Sequence, residues 1–262
     1  MLSDYRVHPS LATADAARAR AWYLEKLGLE PYRVFDGLLV YSIPPTIFTV
    51  YETPSAGTAK NTVAVWGVDD LRAEVTRLRA RGLVFEDLDF GPDDRTVDGI
   101  MTTADERGPV LNAWFKDGDG NWISLGQQPP EPGLEPGMFA MLAASDVARA
   151  RAWYSEKLGL EPFRVFGDDE LSYRSGMTHL SIYKTPSAGT AMNTAAVWRV
   201  KDVRAEAADL RARGVVFEDY DFGDERTVDG VLEDGEGNVV AWFKDSEGNV
   251  LGLVQIRDED GF

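Results

Sequence analysis

Ala113-Trp-Phe-Lys-Asp-Gly-Asp-Gly-Asn121 returns later in the chain as Ala241-Trp-Phe-Lys-Asp-Ser-Glu-Gly-Asn249, and this duplication limits the possible folds more than any other feature. In both copies, Asp-x-(Asp/Glu)-Gly-Asn lies between two apolar runs. That pattern predicts a hairpin turn with glycine where φ must be positive. The echo extends outwards: Arg18–Tyr23 reappears as Arg149–Tyr154, Glu25–Pro31 as Glu156–Pro162, Thr53–Ala59 as Thr185–Ala191, and Arg95–Gly99 as Arg226–Gly230. Two copies, each of full domain size, indicate a duplicated domain rather than a solenoid.

Within one copy the order of elements also repeats. A strand is expected over Asp4–Thr13, then a helix capped by Asp15 and stopped by Gly28, with Ala19, Trp22, Tyr23 and Leu27 on one face. Strands follow near Tyr32–Phe35, Leu38–Ser42 and Ile47–Tyr51. A second unit runs through a strand at Thr62–Val68, a helix capped by Asp69 or Asp70 and stopped at Gly82, and strands near Asp98–Thr103, Val110–Phe115 and Trp122–Gly126. Each copy thus reads as β-α-β-β-β used twice. The proline-rich run Gln127–Gly137 marks the boundary. The expected division is a first domain over 1–127, a linker over 128–137, a second domain over 138–257 and a tail over 258–262.

Composition excludes several classes of function. With no cysteine the chain has no disulfide, thiolate metal site or cysteine nucleophile. A formal net charge of −17 repels phosphate backbones and anionic lipid, so neither nucleic acid nor a membrane is an expected partner. No run approaches the ~20 apolar residues of a membrane helix, and the N-terminus lacks the regions of a signal peptide. A cytoplasmic location is expected. No Gly-rich phosphate loop follows a strand, and no Ser/His/Asp hydrolase signature is present.

Three pieces in order, twice over, resemble the vicinal oxygen chelate superfamily of glyoxalase, bleomycin-resistance and extradiol-dioxygenase relatives. They are the opening ending in Trp22-Tyr23 and Lys26–Leu29, the middle strand Val65–Leu71, and the closing Phe115–Asn121, with counterparts at Trp153–Leu160, Val197–Val203 and Phe243–Asn249. The resemblance implies an α+β fold of two tandem domains, each a pair of βαβββ modules forming an incomplete barrel around a cleft. It leaves open whether the modules around a cleft come from one domain or are exchanged between the two. A single chain would then act as a pseudo-dimer.

In the metal-dependent members, His, His or Gln, and Glu on inward strand positions hold a divalent cation. The matching positions here are His8 and Phe139 on the first strand, Val63 and Ala195 on the middle strand, and Ser124 and Gly252 on the last. The other histidine, His179, falls on the fourth strand, opposite Ile47 of the first half. One imidazole per domain does not complete a three-ligand site, so neither metal nor cofactor is expected.

Strand alternation puts His8, Ser10 and Ala12 on one face with Asn61, Val63, Val65, Trp122 and Ser124. The counterparts are Phe139, Met141, Ala143, Asn193, Ala195, Val197, Val250 and Gly252, read as a more apolar cleft. Trp66 and Trp198 have core parity, whereas Trp114 and Trp242 stand equally between core and ligand stacking. His8 and His179 are the candidate catalytic groups. The expected function is binding of an apolar or aromatic small organic molecule in a metal-free cleft, as in drug or metabolite sequestration. The alternative is a lyase, isomerase or dioxygenase with an atypical metal site, or acting without metal through His8 or His179. The repeated Arg-Thr-Val-Asp-Gly is expected to hold an internal ion pair at the start of a strand, and the acidic runs 85–89 and 217–221 to be solvated loops.

Overall fold

A computed structural model of the chain describes residues 1–35, 37–91, 94–105, 107–129, 137–223 and 225–257. Positions 130–136 of the expected linker and the expected tail, 258–262, lie outside the described residues. The strands form two eight-stranded curled sheets, and the chain gathers into two compact units, Pro9–Met141 and Met1–His8 with Leu142–Phe262.

The unit Pro9–Met141 holds two βαβββ modules. The first comprises most of β1 (Val7–Thr13), α1 (Ala16–Trp22) continued by a π-helical turn (Tyr23–Leu27), β2 (Arg33–Phe35), β3 (Leu38–Ile43) and β4 (Thr46–Glu52). The second comprises β5 (Thr62–Gly67), α2 (Leu71–Ala80), β6 (Met101–Asp105), β7 (Gly108–Lys116) and β8 (Trp122–Gln127). In each module the first strand pairs parallel with the last, β1 with β4 and β5 with β8, and the other pairs are antiparallel hairpins. The start of β9 (Met138–Ala144) adds to this unit by pairing antiparallel with β5.

The other unit repeats the plan with α3 (Val147–Trp153) and its π turn (Tyr154–Leu158), β10 (Pro162–Phe166), β11 (Glu170–Ser175) and β12 (Thr178–Lys184). Its second module is β13 (Thr194–Arg199), α4 (Val203–Ala212), β14 (Val231–Glu233), β15 (Val239–Lys244) and β16 (Val250–Gln255). The N-terminus belongs here. Leu2 is buried in a 3-10 turn (Leu2–Asp4), so the strand begins at Val7 rather than Asp4, and Arg199 N donates to the Arg6 carbonyl. Strand order is β14-β15-β16-β13-β1-β4-β3-β2 in one sheet and β10-β11-β12-β9-β5-β8-β7-β6 in the other. Each sheet therefore takes one module from each half of the sequence, which is the exchanged arrangement.

The helices start where short acidic side chains can cap them. Asp15, Asp70, Asp146 and Asp202 each accept a hydrogen bond from the backbone N–H three residues on, at 2.9 to 3.0 Å. Gly28 and Gly159 end the first helix of each half in the left-handed region.

The duplicated turn is a staple between elements. Asp117 Oδ1 accepts from the backbone of Asp119 and Asn121, and Oδ2 accepts from Asn121 Nδ2 at 2.8 Å and the Tyr23 hydroxyl at 2.9 Å. Asn121 Nδ2 also reaches the Ala12 carbonyl of β1 at 2.8 Å. Asp245, Asn249, Tyr154 and Ala143 reproduce these bonds. One buried side chain thus joins strand, turn and helix, and Gly120 and Gly248 supply the positive φ.

Opposite the strand faces covered by helices lies an open face. In the second module of Pro9–Met141, Ala64, Ala113, Phe115, Ile123 and Leu125 are fully buried on the helix side. Among the described residues, no helix is long and apolar enough to cross a membrane.

Candidate functional site

On the open face of Pro9–Met141, the strand registers assemble a row across four strands. Phe139 of β9 stands opposite Val65 of β5, Val65 opposite Ser124 of β8, and Ser124 opposite Trp114 of β7. Phe139, Val65 and Ser124 are buried. Trp114 is half-buried, with its ring 5.5 Å from that of Phe90. Trp114 therefore has open-face parity, opposite in sense to the core residue Phe115. Gly126 lies one step along, where an added Cβ would meet Val65 at 3.1 Å, so side chains already fill the space above it.

The remaining candidates in this unit frame that row. Val63 is buried two residues before Val65. Trp122 sits at the end of β8, where the Lys116 ammonium lies 4.2 Å from its ring centroid, a cation–π contact. Asn61 is buried and donates to the Thr62 carbonyl at 2.9 Å. Met141 is buried, and Ser10 accepts from the Thr49 hydroxyl at 3.0 Å. The row unites Phe139, Ser124 and Trp114, while Ser10 belongs to a different row that runs to Thr49 and Val40.

In the other unit, Val197, Gly252 and Trp242 form the corresponding row. Trp242 is half-buried and packs edge-on against Tyr220 and Phe222, at 5.6 and 5.8 Å. Ala195 and Val250 are buried, as is Asn193, which donates to the Thr194 carbonyl at 3.1 Å. Its Oδ1 is buried without a hydrogen-bond partner among the described residues. Trp198 is fully buried and donates from Nε1 to Ser175 Oγ, so it is core; Trp66 is half-buried.

His8 is buried, and burial together with the Arg199 guanidinium pushes its pKa down to about 4. It is neutral at pH 7. His179 is half-buried, and burial, Arg174 and Arg164 likewise lower its pKa to about 4. Around His179 the reading of an apolar second half needs correction. Arg174 stands opposite His179, Ser172 opposite Ser181, and Arg164 opposite Ser172. Arg174 lies 4.7 Å from the Phe163 ring, Arg164 5.5 Å from that of Phe166, and burial raises the Glu170 carboxyl. These polar residues were missed because Arg and Glu in a short hairpin read as a solvated edge. Only the alternation measured from His179 singles them out.

The ion pair expected within Arg95–Gly99 takes another partner. Asp98 is held by Arg79 of α2 through both carboxylate oxygens at 3.2 Å and its carbonyl at 2.8 Å. The helix arginine reaches it because Asp98 adopts a left-handed φ of 53° that turns its carbonyl back.

A resident divalent cation does not fit the residues present. The positions matching the metal-dependent pattern carry His8, Phe139, Val63, Ala195, Ser124 and Gly252. Among the described residues, no group of three or more His, Asp or Glu could hold a metal ion.

The sequence profile described as "Glyoxalase/Bleomycin resistance protein/Dioxygenase superfamily" matches residues 6–125 and again 138–253. Among solved structures, glyoxalase I from Zea mays is similar at a TM-score of 0.67 and 18% identity, covering 95% of this chain and 91% of that one. A putative dioxygenase from Bacillus subtilis subsp. subtilis str. 168 is similar at a TM-score of 0.61 and 16% identity, covering 97% and 85%. At such identities the likeness concerns the fold. Among curated proteins, none matches the chain. Two tandem matches spanning most of the sequence place this chain in the Glyoxalase/Bleomycin resistance protein/Dioxygenase superfamily.

Proposed function

We propose that this chain, as a single-chain pseudo-dimer, binds a small organic molecule with a flat or apolar body on an open sheet face, without a resident metal. The observation that carries the reading is the row Phe139–Val65–Ser124–Trp114. Two aromatic rings and a valine flank one hydroxyl, a surface that matches an organic ring better than a hydrated cation. The orphaned Oδ1 of Asn193 supports the same reading in the other unit, since a buried acceptor without a donor is costly until a ligand supplies one.

The metal-free enzymatic alternative would use His8 or His179 as a general base. With pKa values near 4, either imidazole is neutral but weakly basic at pH 7, which suits a hydrogen bond to a ligand better than proton abstraction. Calorimetry with a panel of small aromatic compounds tests the proposal. At least one should bind, and Phe139→Ala should weaken it by about five- to a hundredfold, the equivalent of ~1–3 kcal/mol. No binding across the panel, or equal affinity after Phe139→Ala, would remove its basis.

A further inference from the structure

A cavity of about 470 Å³ opens on the helix side of β14 and β15, away from the row containing Trp242. Val231 and Glu233, which line it, pair with Ala241 and Val239, residues of opposite parity to Trp242. Its distinguishing feature is three guanidinium groups, from Arg204, Arg211 and Arg226. Arg204 and Arg211 are seven residues apart on α4, so two helical turns bring them to one face. Arg226 comes from a loop fixed by Asp219, whose Oδ1 accepts from the Thr227 hydroxyl and Gly230 N, each at 2.9 Å.

The charges in this cavity are incompletely compensated. Arg204 pairs with Glu233 at 2.7 Å, but both side chains are more than half exposed, so the pair is weak and readily exchanged for another anion. Arg211 donates to the Asp229 carbonyl and lies 4.8 Å from the Phe217 ring. No ion pair to the Asp229 carboxylate satisfies it, unlike Arg79 with Asp98 in the first half. Arg226 has no side-chain hydrogen bond or ion pair among the described residues. Three fixed cations close together repel one another, and in a chain of net charge −17 their retention on one wall is not a by-product of a basic surface.

We propose that this cavity is a separate binding site for a small organic dianion of the phosphate-monoester class. Arg204, Arg211 and Arg226 grip the phosphate, and Val228 and Val231 face the organic part. Forked guanidinium donors match the oxygens of such a group, and the volume suits a small molecule. Screening over about 8 Å at physiological salt leaves the local arginines, not the net charge, in control.

Calorimetry with phenyl phosphate, inorganic phosphate and phenol tests the site. Phenyl phosphate should bind, inorganic phosphate more weakly and phenol not at all, with affinity falling as salt rises. Arg226→Gln should weaken phenyl phosphate by about tenfold or more, and Arg226→Lys by less, because lysine keeps the charge but loses the fork. Arg95→Gln, at the repeat-equivalent position, and Phe139→Ala, on the open face, should leave it unchanged. Circular dichroism confirms the fold of each variant. Absence of phenyl phosphate binding, or equal affinity in the wild type and both Arg226 variants, overturns the proposal. Loss on Phe139→Ala alone would transfer the binding to the open face and also overturn it.

Discussion

At the scale of single residues, buried polar groups make the sharpest claims. His8 has a folded pKa of about 4 against an ordinary value near 6.5, so the unfolded chain takes up the proton first. Its contribution is fully present above pH 6.5 and is lost as pH falls through about 4, a swing of about 3 kcal/mol. Chemical denaturation across that range should show a steep loss of stability in the wild type and a flatter one in His8→Gln; parallel curves would contradict the assignment. Tyr23 makes a second claim. Its hydroxyl is one of two side-chain donors to Asp117 Oδ2, and burial pushes the Asp117 carboxyl up while the bonds from Asn121 and Tyr23 pull it down. Tyr23→Phe should cost about 1–3 kcal/mol in denaturant unfolding, with Tyr154→Phe costing a similar amount through Asp245.

At the scale of elements, the sequence was most readable where one residue type has one structural use. The aspartate caps, the glycines after the helices and the duplicated Asp-Gly-Asn turn all fall where their chemistry requires. The N-terminal turn was hidden because Leu2 is buried by residues far along the chain, with Ser175 Oγ donating to its carbonyl at 2.9 Å. The π turns after α1 and α3 have no sequence signal either; they are shaped by Tyr23 and Tyr154 reaching Asp117 and Asp245. The polar hairpin around His179 escaped because strand periodicity shows which residues share a face, not whether that face is wet. Another device appears only in three dimensions. Thr46 Oγ1 accepts from Met138 N at 2.7 Å, and its repeat counterpart Thr178 Oγ1 accepts from Val7 N at 2.9 Å. Each threonine docks the first residues of a strand arriving from the other half of the sequence. Thr178→Val should leave the buried Val7 N–H without its acceptor and cost about 1–3 kcal/mol, read as a lower denaturation midpoint. An unchanged midpoint would mean that this docking contributes nothing.

At the scale of the whole molecule, duplication supplied two copies of one framework, and divergence then gave them different open faces. Stapled turns, caps and threonine clasps recur in both halves. At the first-strand position, by contrast, one copy carries His8 and the other Phe139; further along, Ile47 faces His179 and Trp122 faces Val250. Conserved framework with unequal faces predicts unequal binding, so titration should show one tight site of the open-face class per chain. Two equivalent sites would contradict that reading.

The central claim is binding of an organic molecule without a resident metal, and native mass spectrometry of the freshly purified chain, paired with elemental analysis after dialysis against a chelator, tests it most directly. The account predicts a retained small organic mass, or one gained on adding an aromatic ligand, with transition metal far below one per chain. About one firmly held transition metal per chain, with no organic mass, would contradict it.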